Sequence, residues 1–80
     1  SSIPQVAHAY LYNKVVSVSF EEAMQTVTIK IIRESTGETV SSQEYISPTT
    51  VFVNLTLQNS SIYYIEISSD DTCLQGKFIL

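Results

Sequence analysis

Five short runs of alternating apolar and polar residues constrain the fold of this chain more than any other feature. In "VVSVSF" (15–20), Val16, Val18 and Phe20 share one side and two serines occupy the other. Four further runs alternate in the same way: "VTIKI" (27–31), "VFVNLTL" (51–57), "YYIEIS" (63–68) and "LQGKFIL" (74–80). A period of two is that of a strand with one buried face, and helical periodicity is missing. The sequence therefore predicts half-buried antiparallel β-strands.

The apolar side of each run predicts the core. We expect the following side chains to be buried: Val18, Phe20, Val27, Ile29, Ile31, Val53, Leu55, Ile65, Ile67, Leu74 and Phe78. The same alternation puts Val51, Leu57, Tyr63 and Leu80 on the core side of their runs. Immunoglobulin-like folds often keep a corner tyrosine that hydrogen-bonds to the backbone, and Tyr63 begins its strand in that position.

Turn residues separate the runs. Asn13-Lys14 can close a hairpin after a strand at about Val6–Tyr12, and Gly37 in the loop 35–38 tolerates positive φ. Breaks are predicted at Ser47-Pro48, at 58–61, and at Asp70-Asp71-Thr72, which would join strands 62–69 and 73–80. Residues 21–25 are too few to sustain a helix and are interpreted as a crossover. Seven strands at this spacing predict a small all-β immunoglobulin-like sandwich, with residues 1–80 forming a single domain.

Composition excludes several functional classes. The chain has 80 residues, a net charge of −4, and only four basic residues, which are dispersed. Nucleic-acid binding needs a clustered basic surface, so no nucleic-acid partner is expected. No apolar stretch is long enough for a membrane span. The first residues, "SSIPQVAHAY", lack the pattern of a signal peptide and suit a mature end from which a signal peptide has been removed.

Three stretches resemble one known family, the domain of unknown function 3244. They are "VTIKI" (27–31) followed by Gly37 and Val40, "YYIEI" (63–67), and the closing "LQGKFIL" (74–80). The resemblance implies a short secreted immunoglobulin-like sandwich from gut Bacteroidetes, and it supplies no catalytic residue. The chain departs from the family at Ser61, where a glycine usually precedes the penultimate strand.

No catalytic, metal-binding or cofactor-binding residue is predicted. A Cys73 nucleophile would need His8 as a base within hydrogen-bond reach and an oxyanion pocket. His8 has no second nitrogen ligand to share a metal, and Asp70 with Asp71 lacks the spaced carboxylates of a calcium loop. We therefore expect a protein that is not an enzyme and that needs no cofactor.

The candidate partner surface lies on the outward side of the predicted strands. Tyr64 points away from the core, together with neighbours that combine apolar and charged groups, a composition typical of partner sites. We call this set the Tyr64 surface, and it comprises Tyr64, Ile62, Ile32, Lys30, Lys77 and Ile79. Glu66 is expected to lie near enough to Lys77 to pair with it across strands.

These features predict a secreted, periplasmic or cell-surface module that binds a protein or glycan, or has a structural role, without catalysis. Two alternatives remain. The first is a small carbohydrate-binding module in which Tyr10, Tyr12, Tyr45 or Tyr64 stacks on sugar rings, although the chain has no tryptophan. The second is self-association into a weak homodimer through an exposed strand edge, whose unpaired backbone groups invite pairing.

Overall fold

A computed structural model describes residues 7–22, 24–70 and 72–80, and these residues form seven β-strands. Three predictions fall partly outside the described residues: the first strand at Val6, the crossover at Ala23 and the last turn at Asp71. The strands are β1 (Ala7–Tyr12), β2 (Val15–Phe20), β3 (Thr26–Arg33), β4 (Thr39–Ile46), β5 (Thr50–Asn54), β6 (Ile62–Ser69) and β7 (Thr72–Ile79). The predicted all-β fold of seven antiparallel strands is confirmed.

The strands form two antiparallel sheets that pack face to face. One sheet has three strands in the order β1-β2-β5, and the other has four in the order β4-β3-β6-β7. The chain therefore crosses between the sheets after β2, β4 and β5. Both faces turned inward are apolar, as a sandwich requires. Strands β1 and β7 lie at sheet edges and flank shallow apolar clefts of about 130 and 140 Å³, which reach Ile65 in the core.

The predicted hairpins form, and Gly37 has the positive φ that the sequence indicated. Asn13 and Lys14 join β1 to β2 with φ of 49° and 60°, the positive values that a two-residue hairpin turn of type I′ requires. Gly37 has φ of 72° in the loop between β3 and β4. Ser69 pairs with Thr72, so the last turn is one residue shorter than predicted and Thr72 already belongs to β7.

Eight of the predicted core residues are buried, and three are only half-buried. Val18, Val27, Ile29, Ile31, Val53, Leu55, Ile65 and Ile67 are buried, together with Val16, Val51 and Tyr63. Phe20, Leu74 and Phe78 pack against this core but remain partly accessible, as does Leu80. Phe20 ends β2, and Leu74 and Phe78 belong to the edge strand β7. Solvent reaches inward-facing side chains at such boundaries because no further strand covers them.

The expectation that Leu57 continues the core face of β5 is wrong. Strand β5 ends at Asn54, whose side-chain Oδ1 accepts a hydrogen bond of 2.9 Å from the backbone N–H of Thr56. The N–H of Gln58 then donates to the carbonyl oxygen of Leu55 at 3.0 Å, which turns the chain. Leu55 keeps its place in the core, but Leu57 lies beyond the turn and is exposed.

Tyr63 closes one end of the core, as the corner-tyrosine prediction required. Its hydroxyl donates a 2.7 Å hydrogen bond to the carbonyl oxygen of Asn59 in the preceding connection, and its ring stacks on Phe78 with centroids 5.8 Å apart. The guanidinium of Arg33 lies 5.8 Å from the centroid of the Tyr63 ring and pairs with Glu38 at 2.7 Å. The Tyr63 hydroxyl, and then the Glu38 carboxylate, raise the pKa of Arg33 above its ordinary value.

Candidate partner surface

Strand register brings the residues of the Tyr64 surface together on the outward face of the four-stranded sheet. Ile32, Tyr64 and Lys77 are cross-strand neighbours on β3, β6 and β7. Ile62 and Ile79 form the adjacent pair toward one end of the sheet. Lys30 lies on the other side of this row, opposite Glu66 on β6. The sequence predicted the outward side of each strand, and antiparallel pairing aligns these sides into one continuous face.

Tyr64 is held in place by two charged neighbours. Its hydroxyl donates to Glu34 Oε2 at 3.1 Å, and the Lys77 ammonium lies 6.0 Å from the centroid of its ring. Lys77 Nζ is also 3.7 Å from Glu34 Oε2, so one carboxylate connects the lysine and the tyrosine. Glu34 is itself anchored, since its backbone N–H donates to the carbonyl oxygen of Ile62 at 3.0 Å. The ring is therefore held by both neighbours while it remains half-buried.

The predicted pairing of Glu66 with Lys77 is wrong. Glu66 lies opposite Gln75 on β7, whereas Lys77 lies two pairs further along, opposite Tyr64, and directs its ammonium to Glu34. Glu34 competes with Glu66 for Lys77, and it could not be found from the residues of β6 and β7 because it follows the end of β3. The only indication in the sequence was an acidic residue directly after a strand.

Cys73 and His8 lie on different sheets. Cys73 is exposed on β7, opposite Ser68, and its place near the start of a strand agrees with a structural interpretation. His8 lies on β1, where its Nε2 is 3.4 Å from Glu21 Oε1. The inward neighbours Ala7 and Leu74 pack against the core, so His8 and Cys73 face outward from opposite sheets and do not form the nucleophile–base pair that covalent catalysis requires. Among the described residues, no three His, Cys, Asp or Glu side chains come together as metal ligands would.

We expect Cys73→Ser to leave the domain unchanged. The thiol is exposed, so its replacement should change the free energy of unfolding by no more than about 0.5 kcal/mol. Urea denaturation measures this change directly. Iodoacetamide should label Cys73 in the folded wild-type protein no faster than it labels a short unstructured peptide containing cysteine. Labelling several times faster than the peptide would contradict this expectation and indicate an activated thiol.

The four tyrosines proposed to stack on sugars do not form one site. Tyr10 and Tyr12 are exposed on β1 of the three-stranded sheet, and Tyr64 lies on the outward face of the other sheet. Tyr45 packs against the core from β4 and is partly buried. Sequence reasoning missed Phe52, an exposed aromatic residue on β5. Its signal was its position between the core residues Val51 and Val53, which turns it outward.

The family model of DUF3244, a domain of unknown function, matches residues 1–80. The chain belongs to this family. A solved crystal structure that resembles this DUF3244 domain is a DUF3244 family protein with an immunoglobulin-like β-sandwich fold from Bacteroides vulgatus ATCC 8482. The two align with a TM-score of 0.88 and 14% identity, over 94% of this chain and 83% of that one. This likeness shows that the fold is an immunoglobulin-like sandwich.

A search of curated proteins finds no significant match to this DUF3244 domain. Within the part of the chain that the structure describes, there is no helix with the length and apolar character needed to cross a membrane.

Proposed function

We propose that this domain is a non-catalytic binding module that acts outside the cytoplasm and docks a protein partner on the Tyr64 surface. The observation that carries the proposal is the fixed tyrosine ring on an outward sheet face, held by Glu34 and Lys77. An aromatic side chain that is already ordered loses little conformational entropy when a partner covers it. Such residues contribute a large share of the binding energy at protein interfaces.

A protein partner suits the chemistry of this face better than a neutral ligand. The centre of the surface is apolar, with Ile32, Ile62 and Ile79 around Tyr64, and Ile79 is 74% exposed. Charges of both signs surround this centre, because Lys30 lies opposite Glu66 and Lys77 lies beside Glu34. An apolar centre with a charged rim is the usual arrangement of a protein–protein interface. Rim charges of both signs also select a partner with the complementary pattern.

Two separate considerations support the absence of catalysis and the location. The lone histidine and the lone cysteine lie on different sheets, so the groups most suited to acid–base and nucleophilic chemistry do not converge. Action outside the cytoplasm is supported by the resemblance of the three quoted stretches to secreted sandwiches. Cell fractionation of the native organism with an antibody to this domain tests the location, and recovery only from the cytoplasm would contradict it.

Loss of partner binding on replacement of Ile79 or Tyr64 is the expected result. The purified domain is used to capture proteins from the secreted and envelope fractions of the native organism. Tyr64→Ala should reduce the amount of the captured partner about 10-fold or more, because it removes the fixed aromatic ring. Ile79→Ala should reduce it by a smaller factor. Circular dichroism of each variant confirms that it is folded.

Ile46→Ala is the matched control for this experiment. Ile46 is 82% exposed and pairs with Thr26, so it lies on the same outward face as Ile79 but at the opposite end of the sheet. Its replacement removes the same aliphatic atoms and should leave capture unchanged. Equal capture by wild type, Tyr64→Ala and Ile79→Ala would show that the partner binds elsewhere.

A further inference from the structure

The outward face of the three-stranded sheet differs from the Tyr64 surface in being mainly aromatic, and its one ionisable side chain besides the tyrosines, His8, lies 3.4 Å from Glu21 at the end of β2. Tyr10, Tyr12 and Phe52 are 66%, 78% and 69% exposed. The side chains beside them in the register are small or polar, and they comprise His8, Val15, Ser17, Ser19, Thr50 and Asn54. None of these residues is a lysine, arginine, aspartate or glutamate. We call this set of residues the aromatic face.

The aromatic rings are arranged in register across the sheet. Tyr10 pairs with Ser17, and Ser17 pairs with Phe52, so two aromatic residues flank one small hydroxyl residue in a single row. Two strand spacings separate their backbones by about 9–10 Å. Tyr12 lies two residues from Tyr10 on the same side of β1, about 7 Å along the strand. Ser17 between them has a small side chain and is half-buried.

Core packing does not account for these exposed rings. The inward positions of the same strands are filled by Val16, Val18, Val51 and Val53, all of which are buried. The aromatic residues point the other way, into solvent, so their apolar rings contribute no free energy of burial to folding. Clustered exposed aromatic groups on one side of a domain mark a binding site more often than isolated ones do. The arrangement therefore calls for a ligand with flat apolar surfaces.

We propose that the aromatic face binds a neutral oligosaccharide. The C–H face of a pyranose ring is flat and apolar, and it stacks on aromatic rings, so Tyr10 and Phe52 would each receive one sugar along the glycan. The hydroxyls of Ser17, Ser19 and Thr50 can donate to and accept from the sugar hydroxyls. Asn54 Oδ1 already accepts from the Thr56 backbone, which leaves its amide N–H groups as donors.

Charge favours a neutral glycan over other ligands. An anionic glycan or a phosphate group would need a lysine or arginine on the face, and the register places none there. The Tyr64 surface on the other sheet carries charges of both signs, so the two faces suit partners of different chemistry. This site is separate from the proposed protein surface, and either can fail without the other.

The test measures binding of defined sugars by isothermal titration calorimetry. The probes are neutral β-linked hexasaccharides of glucose, xylose and mannose, with a polygalacturonate oligomer as the anionic comparison. At least one neutral probe should bind, and the anionic oligomer should not. Phe52→Ala and Tyr10→Ala should each weaken binding of that probe about 3- to 10-fold, the loss of one stacked ring. The intrinsic tyrosine fluorescence should also change on binding, since the chain has no tryptophan.

Ile46→Ala, a change of one exposed apolar residue on the other sheet, is the control and should bind the probe as wild type does. Tyr64→Ala should also bind it normally, which separates this site from the protein surface. Failure of all three neutral probes to bind would overturn the proposal. So would binding that Phe52→Ala leaves unchanged. In the alternative outcome, light scattering shows that the wild type is a dimer and that Phe52→Ala is a monomer, and calorimetry shows that no sugar binds. That result would assign the aromatic face to self-association and would also overturn the proposal.

Discussion

Tyr63→Ala is expected to lower the free energy of unfolding by about 3–5 kcal/mol, the usual cost of truncating a buried aromatic side chain. Tyr63 is fully buried, its ring stacks on Phe78, and its hydroxyl donates to the carbonyl oxygen of Asn59. Alanine would remove all of these contacts and leave a cavity beneath Arg33. A domain of this size has a stability of roughly 4–12 kcal/mol, so the variant should lose a large fraction of its stability. Urea denaturation followed by circular dichroism measures the loss.

Tyr63→Phe separates the hydrogen bond from the ring. Phenylalanine keeps the stacking on Phe78 and loses only the hydroxyl, which should cost about 1 kcal/mol, a typical net value for one hydrogen bond. The ratio of the two losses then shows how much of the stability depends on packing. A Tyr63→Ala variant that unfolds at the same urea concentration as wild type would mean that this residue does not close the core.

Local signals explain why most of the fold could be predicted from the sequence. A strand with one buried face shows a period of two within a few consecutive residues. A tight hairpin turn requires positive φ at one or two residues, and the residue types there reflect this requirement. Asn13-Lys14 and Gly37 are such cases, and both turns formed where the sequence indicated. The Tyr64 surface on β3, β6 and β7 could be predicted from the same alternation, because the outward sides of neighbouring strands together form one sheet face.

Contacts between distant strands could not be predicted in the same way. The row of Tyr10, Ser17 and Phe52 depends on β5 pairing with β2 across more than thirty residues, and no local pattern specifies that partner. The half-burial of Phe78 has a similar origin, since it follows from β7 being an edge strand. Alternation gives the side of a strand that faces inward, whereas the order of strands decides how completely that side is covered.

The end of β5 shows a third limit, where a polar side chain overrides an apolar pattern. The apolar alternation continues through Leu57, but Asn54 offers its side chain to the backbone N–H of Thr56 at 2.9 Å. Asparagine competes in this way with strand pairing and favours a turn. One such hydrogen bond redirects the chain and removes Leu57 from the core.

Leu55→Ala and Leu57→Ala test this reading of the β5 end with identical chemical changes two residues apart. Leu55 is 2% exposed, so its truncation should lower the free energy of unfolding by about 2–5 kcal/mol through lost burial and a residual cavity. Leu57 is 96% exposed, so the same truncation should change stability by less than about 0.5 kcal/mol. Parallel urea titrations compare the midpoints of the two variants with that of wild type. Equal losses would mean that the strand continues through Leu57 and that the turn at Asn54 does not form in solution.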